Sequence, residues 1–488
     1  MEQPVNYKHK IDFLISDNTP SIQPTQKSNT KGSSIRNTIL KPVKSGNKVI
    51  DDFIRSTQIN YGNSGVKLEF VPYDQFKNIK FIAEGGFSKI YKAIWVNGPI
   101  INWHEIERND WNITRYNNYT VVLKKLNNSK NTTSKELNEL KILYQIASST
   151  ENQHIGILSE YYGITQEPNT KDIVFIMQYY SSGDLMHYLN NDFYNISWKT
   201  KLAGLWNITN GLCLIHDTGI THRDLHSGNI FFDNVYPYSK IGDLGISKSA
   251  TECTDNNNEN YGIIPYMAPE IFQGQTYTEA SDIYSFGMIM WEFMTGRRPF
   301  WNENHDIELI IKICDGLRPP IVTNAPEGYI ELMKSCWHSD PNKRPTATYL
   351  GNKIWDMYVK EEKSPTKIIK SSDIGPVTTN NPGAIYKSRP LSRMINSAMS
   401  LRNSRSQSID PFYYYQKNNA AFIDKRKFDN SVEDGNDNDQ NSKRRKLFGN
   451  ENSEYFTKEI ELDINKNLNE PQNNEYVTKE FDIDINNI

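Results

Sequence analysis

The residues with the most chemical content lie in one stretch, His222-Arg223-Asp224-Leu225-His226-Ser227-Gly228-Asn229, followed by Asp243-Leu244-Gly245 and then Ala268-Pro269-Glu270. A carboxylate such as Asp224 can take the proton of an attacking hydroxyl. Asn229 and Asp243 offer oxygen ligands of the kind a hard cation such as Mg²⁺ takes while keeping several waters. A single Asp in a turn is usually an Asx-turn or a helix cap, so the ordered set carries more weight than any one of its members. Upstream, Gly85 and Gly86 sit between two strand-like runs, where the missing Cβ lets backbone come close to an anion. Lys124 closes the apolar run Val121-Val122-Leu123; a strand lysine is ordinarily a solvated edge charge.

These side chains need elements to hold them. Alternation of apolar and polar residues over Ile79–Trp95, Tyr119–Leu126 and Ile173–Gln178 predicts strands, and runs such as Ser281–Thr295 predict helices. Strands first and helices later imply an α+β architecture, with a small β-rich lobe holding one main helix and a larger helical lobe. Ahead of them, Ile50, Phe53, Ile54 and Thr57 share one helical face before the Gly62-Asn63-Ser64-Gly65 turn, which predicts a short extension over 46–72 that packs on the small lobe.

Taken in order, the segments at 222–229, 243–245 and 268–270 resemble those of protein kinases, matching H-R-D-L-x-x-x-N, D-F-G and A-P-E. The resemblance covers residues 73–358 and implies the bilobal kinase fold. It also implies an ATP-dependent protein kinase acting on protein hydroxyls, with Asp224 as catalytic base, Lys124, Asn229 and Arg223 as its catalytic partners, and Asn229 and Asp243 as Mg²⁺ ligands. Phosphoryl transfer is mostly positioning and electrostatic stabilisation of spread negative charge, which suits this set.

The same resemblance places nucleotide contacts. Ile82-Ala83-Glu84-Gly85-Gly86-Phe87-Ser88-Lys89-Ile90 falls at the glycine-rich phosphate loop, with Ile82, Ala83, Gly85, Gly86, Ser88 and Ile90 facing ATP. Aligned with G-x-G-x-x-G, the first and third glycines are Ala83 and Ser88, and Gly85 keeps the central position, where backbone comes closest to phosphate. Lys124 would pair with the α- and β-phosphates and with Glu139 of the next helix, Glu136 being the other candidate. Met177 becomes the gatekeeper, Gln178 and Tyr180 the backbone contacts to adenine, and Asp184 a ribose contact. An insertion over 97–118 holds Trp103 and Trp111 in local packing. Asp282 would brace the catalytic-loop backbone, and Arg344 would pair with Glu270.

Cys336-Trp337, Asp340-Pro341-Asn342-Lys343-Arg344-Pro345 and Gly262-Ile263-Ile264-Pro265-Tyr266-Met267 resemble the tyrosine-kinase-like group, mostly Ser/Thr kinases; the Asn-rich flanks resemble large fungal-type kinase families. Ser/Thr kinases usually carry Lys where this chain has His226, so a tyrosine or dual-specificity kinase stays open, as does a pseudokinase scaffold that binds nucleotide and partners without catalysis. Arg223 beside Asp224 suggests control by phosphorylation of the segment between Asp243 and Glu270. Thr251 and Thr254 are the preferred sites there, with Ser247, Ser249 and Tyr261 also available.

Composition bounds the remainder. Of 488 residues 37% are hydrophobic, and mean hydropathy is −0.67, too polar for one packed globule of that length. Residues 1–45 and 359–488 are therefore expected to be disordered. Net charge is −3, which makes nucleic acid an improbable partner. No apolar run is long enough for a membrane span, and four scattered cysteines indicate neither a zinc cage nor a disulfide framework. A soluble, cytoplasmic protein is expected, with Lys443-Arg444-Arg445-Lys446 read either as a nuclear import address or as a solvated charge run. Residues 361–410 carry net +4 and residues 449–488 net −7. The acidic part repeats itself, 454–465 recurring at 475–486, and its alternating Ile460, Leu462, Ile464 and Phe481, Ile483, Ile485 could add as strands to a docking partner.

Overall fold

The computed structural model describes residues 43–404, apart from 60–65, 102, 104–112, 131–134, 150–154, 234–238, 250–259 and 323–324. The tail repeat, the basic cluster at 443–446, Trp111, Thr251 and Thr254 lie outside the described residues.

The first helix, α1 (Lys48–Ile59), buries Ile50, Ile54 and Thr57 and sets Phe53 edge-on to Tyr144 at 6.4 Å. The small-lobe strands are β1 (Glu69–Phe70), β2 (Phe76–Glu84), β3 (Ser88–Trp95), β4 (Tyr119–Leu126), β5 (Tyr161–Gln166) and β6 (Ile173–Gln178), with α2 (Asn138–Ser149) between β4 and β5. They form one sheet in the order β1-β5-β6-β4-β3-β2, antiparallel except for the β1–β5 pair.

Period-two alternation sorts the two faces. On β6, Val174 and Ile176 join Val121, Leu123, Ala93 and Trp95 in one core, whereas Ile173, Phe175 and Met177 turn to the other face and join the core that includes Leu140 and Leu143 of α2. Lys124 follows Leu123, so it falls on the α2 side. At the base of the insertion Ile100 is bridged antiparallel to Arg115, and Arg115 grips Glu69 of β1 with two hydrogen bonds of 3.0 and 2.6 Å.

The large lobe begins with α3 (Leu185–Asp192) and α4 (Trp198–Asp217), then short strands β7 (Ile220–Thr221), β8 (Ile230–Phe231), β9 (Lys240–Ile241), β10 (Lys248–Ser249) and β11 (Tyr261–Gly262). The helices α5 (Pro269–Phe272), α6 (Glu279–Thr295), α7 (Ile307–Cys314), α8 (Tyr329–Cys336) and α9 (Ala347–Lys363) follow. Helix α6 is buried from Ser281 to Thr295, its start held by a Thr278–Ser281 capping box and its end by Gly296 at φ 70°. A helix buried on all sides in this way forms the centre of a lobe rather than its surface.

The C-terminal boundary departs from expectation. Residues 359–404 do not behave as a coreless tail: α9 continues to Lys363, and the chain then wraps the large lobe to reach β12 (Arg389–Pro390) and α10 (Ser392–Ser404). Ile374, Leu391, Ile395 and Ala398 are buried. Each of the larger three contributes on the order of 2 kcal/mol by leaving water. Strand β12 pairs antiparallel with β11, and Arg402 of α10 meets Asp315 at 2.8 Å. The composition of this stretch is polar overall, but Leu391, Met394, Ile395, Ala398 and Met399 fall at the i, i+3, i+4, i+7 and i+8 spacing of a packed helix face.

Candidate active site

The cleft is assembled from three backbone devices. The first is the β2–β3 turn, where Gly85 N–H donates to Ser88 O at 2.8 Å. Ile82, Ala83, Gly86 and Phe87 of this turn are exposed, Gly85 and Ile90 half-buried and Ser88 buried. The second is the loop between β7 and β8, in which Arg223 adopts φ 71°. A non-glycine residue there is strained, and the compensation is electrostatic: Asp282 of α6 accepts from His222 N–H at 2.8 Å and Arg223 N–H at 3.0 Å, and also contacts His216 Nε2 at 2.9 Å. Burial would raise the Asp282 carboxyl, but His216, His222 and the loop N–H groups hold it below the usual range. The brace expected of Asp282 is therefore present, and His216, which the sequence reading missed, shares it. The third device is the β8–β9 hairpin. Ile230 pairs with Ile241, and Gly242 N–H donates to Asn229 O at 2.9 Å, which puts Asn229 and Asp243 at adjoining ends of one hairpin.

Lys124 Nζ lies 2.9 Å from each Glu139 oxygen and 2.8 Å from Asp243 Oδ1. Burial disfavours its charge, yet Asp243 and Glu139 outweigh burial and raise it above the ordinary lysine range. Burial pushes Glu139 up, and Lys124 only partly offsets this. Asp243 moves the other way: burial alone would raise it, but the Lys124 ammonium and the Gly245 N–H more than cancel that and lower it. The Tyr161 hydroxyl donates to Glu139, a contact no sequence pattern marks. Of the two glutamates considered for Lys124, Glu139 is the one it meets.

Asp224 receives a 2.6 Å hydrogen bond from the Ser388 hydroxyl, and its backbone carbonyl accepts from Asn229 Nδ2 at 2.9 Å. With that nitrogen spent, the amide oxygen of Asn229 remains for a cation. Among the described residues no group of three or more His, Cys, Asp or Glu side chains is arranged to hold a metal. A cation between Asn229 and Asp243 would thus draw on two protein oxygens and complete its shell with water and phosphate, which is how Mg²⁺ is ordinarily held. The donor set fits the ion. His226 Nδ1 accepts from Gly228 N–H at 3.0 Å, which assigns the proton to Nε2, 3.7 Å from Asp224 Oδ2.

At the far end of the cleft, Met177 is buried and Gln178 N–H donates to Glu160 O at 3.0 Å. Tyr180 O accepts from Gly183 N–H at 3.1 Å, and its ring stacks on Phe231 at 5.3 Å. Asp184 caps α3, accepting from His187 N–H at 2.9 Å, and pairs with the His187 ring at 2.8 Å. Arg223 Nε donates to Thr221 Oγ1 and its guanidinium lies over the Tyr277 ring. Ser247 is fully buried with its hydroxyl bonded to His222 O, which removes it from the accessible phosphorylation sites. Glu270 and Arg344 form a buried bidentate pair with both contacts at 2.7 Å. Beneath the loop, Glu292 accepts from Ser227 at 2.9 Å and Tyr266 at 2.6 Å, a cluster the sequence reading also missed.

A glycine turn, a helix-paired lysine and a braced carboxylate loop around one cleft define a phosphotransferase site. The family described as "Protein tyrosine and serine/threonine kinase" matches residues 76–354, more than half of the chain, and the chain belongs to it. It is similar to a protein of Acanthamoeba polyphaga mimivirus that carries the name of a serine/threonine-protein kinase/receptor, at 29% identity over 62% of this chain and 18% of that one. In Dictyostelium discoideum it is similar to stress-activated protein kinase alpha, at 33% identity over 44% of this chain and 35% of the relative. Also similar, from the same organism, is seven transmembrane domain-containing tyrosine-protein kinase 1, at 28% identity over 58% and 38%. This chain therefore spans well under half of the length of each of these relatives. Among the described residues no helix is long and apolar enough to cross a membrane.

Proposed function

We propose that the chain is a catalytically competent kinase that transfers the γ-phosphoryl group of Mg²⁺-ATP to serine or threonine hydroxyls of proteins. The observation that carries this reading is the position of Lys124, bonded at once to Glu139 and Asp243, so that no charge the chemistry needs is displaced.

Lys124 would anchor the α- and β-phosphates, its orientation held by Glu139, and Asn229 and Asp243 would hold the metal ion. When bound, the ion would supply neutralisation of phosphate charge. Asp224 takes the proton of the attacking hydroxyl, and the Asp282 brace keeps that carboxylate from turning away. Backbone of Gly85 and Gly86 would cover the phosphates, the missing side chains leaving room for close approach. His226 Nε2–H stands where Ser/Thr kinases usually carry lysine and supplies a donor toward the same region. Serine or threonine specificity is supported by the name of the mimivirus relative and by the seryl hydroxyl that reaches Asp224 at 2.6 Å.

Phosphate incorporation from Mg²⁺-ATP into a degenerate peptide library, with Asp224→Asn as control, tests the reading. Incorporation into Ser and Thr peptides that the variant lacks is expected. Equal background from both proteins would reject catalysis in favour of a scaffold, and label on Tyr peptides alone would reject the specificity. The repeat at 454–465 and 475–486 is proposed as a docking segment for a protein partner, tested by deleting 451–488 and comparing partners that co-purify.

A further inference from the structure

We propose that residues 381–391 occupy the peptide-substrate position of their own kinase domain and that Ser388 is a phosphoacceptor presented in cis. The proposal rests on the catalytic reading above.

The Ser388 hydroxyl donates to Asp224 Oδ2 at 2.6 Å, the contact a general base makes to the hydroxyl it activates. On the opposite side is the glycine turn: a Cβ added at Gly86 would stand 3.0 Å from Ser388 O, so the acceptor residue lies between the phosphate-covering turn and the catalytic carboxylate. The next two residues, Arg389 and Pro390, form β12 and pair antiparallel with Tyr261 and Gly262. Leu391 N–H continues the ladder to Asn260 O at 2.7 Å. Adding a strand to an exposed backbone edge is a recurrent way of binding peptides, in which main-chain bonds give affinity and side-chain pockets give choice.

Side-chain pockets are present too. Two residues before the acceptor, the Tyr386 hydroxyl donates to Pro299 O at 2.8 Å, its ring meets the His305 ring edge-on at 4.8 Å, and Arg298 lies over its face at 4.9 Å. On the other side Leu391 is fully buried. The segment is tied at both ends. Gly375 N–H donates to Thr295 O at 2.7 Å and Asn381 N–H to Trp301 O at 2.9 Å, while α10 buries Ile395 and Ala398. Tethering replaces a bimolecular encounter with an intramolecular one, so this serine needs no intrinsic affinity to compete with external peptides.

In the transfer, Ser388 Oγ forms a bond to the γ-phosphorus of ATP and the bond from that phosphorus to the β,γ-bridging oxygen breaks. The electron pair leaves with ADP, and the serine proton passes to Asp224 and then to solvent. The phosphoserine so formed carries nearly two negative charges beside Asp224. Repulsion expels it from the groove, which frees the site for an external substrate.

The experiment uses the full chain with Mg²⁺-ATP, phosphosite mapping, and a degenerate Ser/Thr peptide pool as external acceptor. Ser388 is expected to be labelled at a rate unchanged over about 100-fold dilution of the enzyme. Asp224→Asn chains mixed with wild type should stay unlabelled at Ser388, and Ser388→Ala should lose that label. External peptides labelled while Ser388 stays unmodified would overturn the proposal and leave the segment an inert plug. Label at Ser388 that rises with enzyme concentration, or that appears on the Asp224→Asn chains, would overturn presentation in cis. Absence of label on every acceptor, including with Leu391→Asp to detach β12, would overturn the catalytic reading and this proposal together.

Discussion

Glu292 offers a quantitative test of how the loop between β7 and β8 is supported. It lies fully buried in α6, accepts hydrogen bonds from Ser227 and Tyr266 through Oε1, and leaves Oε2 without a partner. Burial is the dominant influence on its carboxyl and pushes it from 4.5 up to about 8, although Tyr266 and Ser227 pull the other way. An unfolded chain loses this proton near pH 4.5, whereas the folded chain keeps it to about pH 8, so folding takes up a proton between those values. Stability must then fall as pH rises through that window and level off above it. With about 1.4 kcal/mol for each pH unit, the whole window is worth at most about 5 kcal/mol. That is a large part of the ~5–15 kcal/mol net stability of a typical domain. Glu292→Gln keeps an acceptor for Ser227 and Tyr266 and cannot ionise. The variant should match wild type at pH 5 and be more stable by several kcal/mol at pH 8.5, measured by urea unfolding across the pH series. Parallel curves for the two proteins from pH 5 to 8.5 would refute a neutral, buried Glu292.

Three further outcomes follow from the geometry. Arg344→Ala leaves Glu270 buried without its bidentate partner and should cost about 3–5 kcal/mol in urea unfolding, with part restored by adding Glu270→Gln. Lys124→Met leaves the buried Glu139 carboxylate without its ammonium, while the part-exposed Asp243 keeps solvent; phosphate incorporation should fall to the Asp224→Asn background, with destabilisation of about 3 kcal/mol by the same assay. Gly163→Ala would place a Cβ 2.1 Å from Glu69 O, so β1 must move off β5 at a cost of roughly 1–3 kcal/mol. Hydrogen exchange should show this as faster opening of residues 66–71.

Local chemistry was easy to read where it is short-range. The H-R-D, D-L-G and A-P-E segments each sit in one turn, and alternation gives the strand phase of Lys124; its pairing with Glu139 was implied by the family resemblance, with Glu136 as the other candidate. The polar composition of 359–404 conceals its packing because averaging hides a helix face of only five apolar positions among many polar ones. Tyr161, His216 and the Ser227–Tyr266–Glu292 cluster were invisible for another reason. Each depends on partners tens of residues away, and no spacing rule links them.

The order of its motifs was enough to place this chain among the protein kinases, because phosphoryl transfer demands particular side chains at short, rigid separations that survive as a linear pattern. Folding settled the rest. That Asp282 holds the β7–β8 loop in a strained turn, that Lys124 meets Glu139 rather than Glu136, and that Ser388 lies against Asp224 from 164 positions away are all outcomes of long-range packing. Such contacts arise where buried faces of distant elements meet, and their energy is paid out only once the whole core has closed, so no local window of residues contains them.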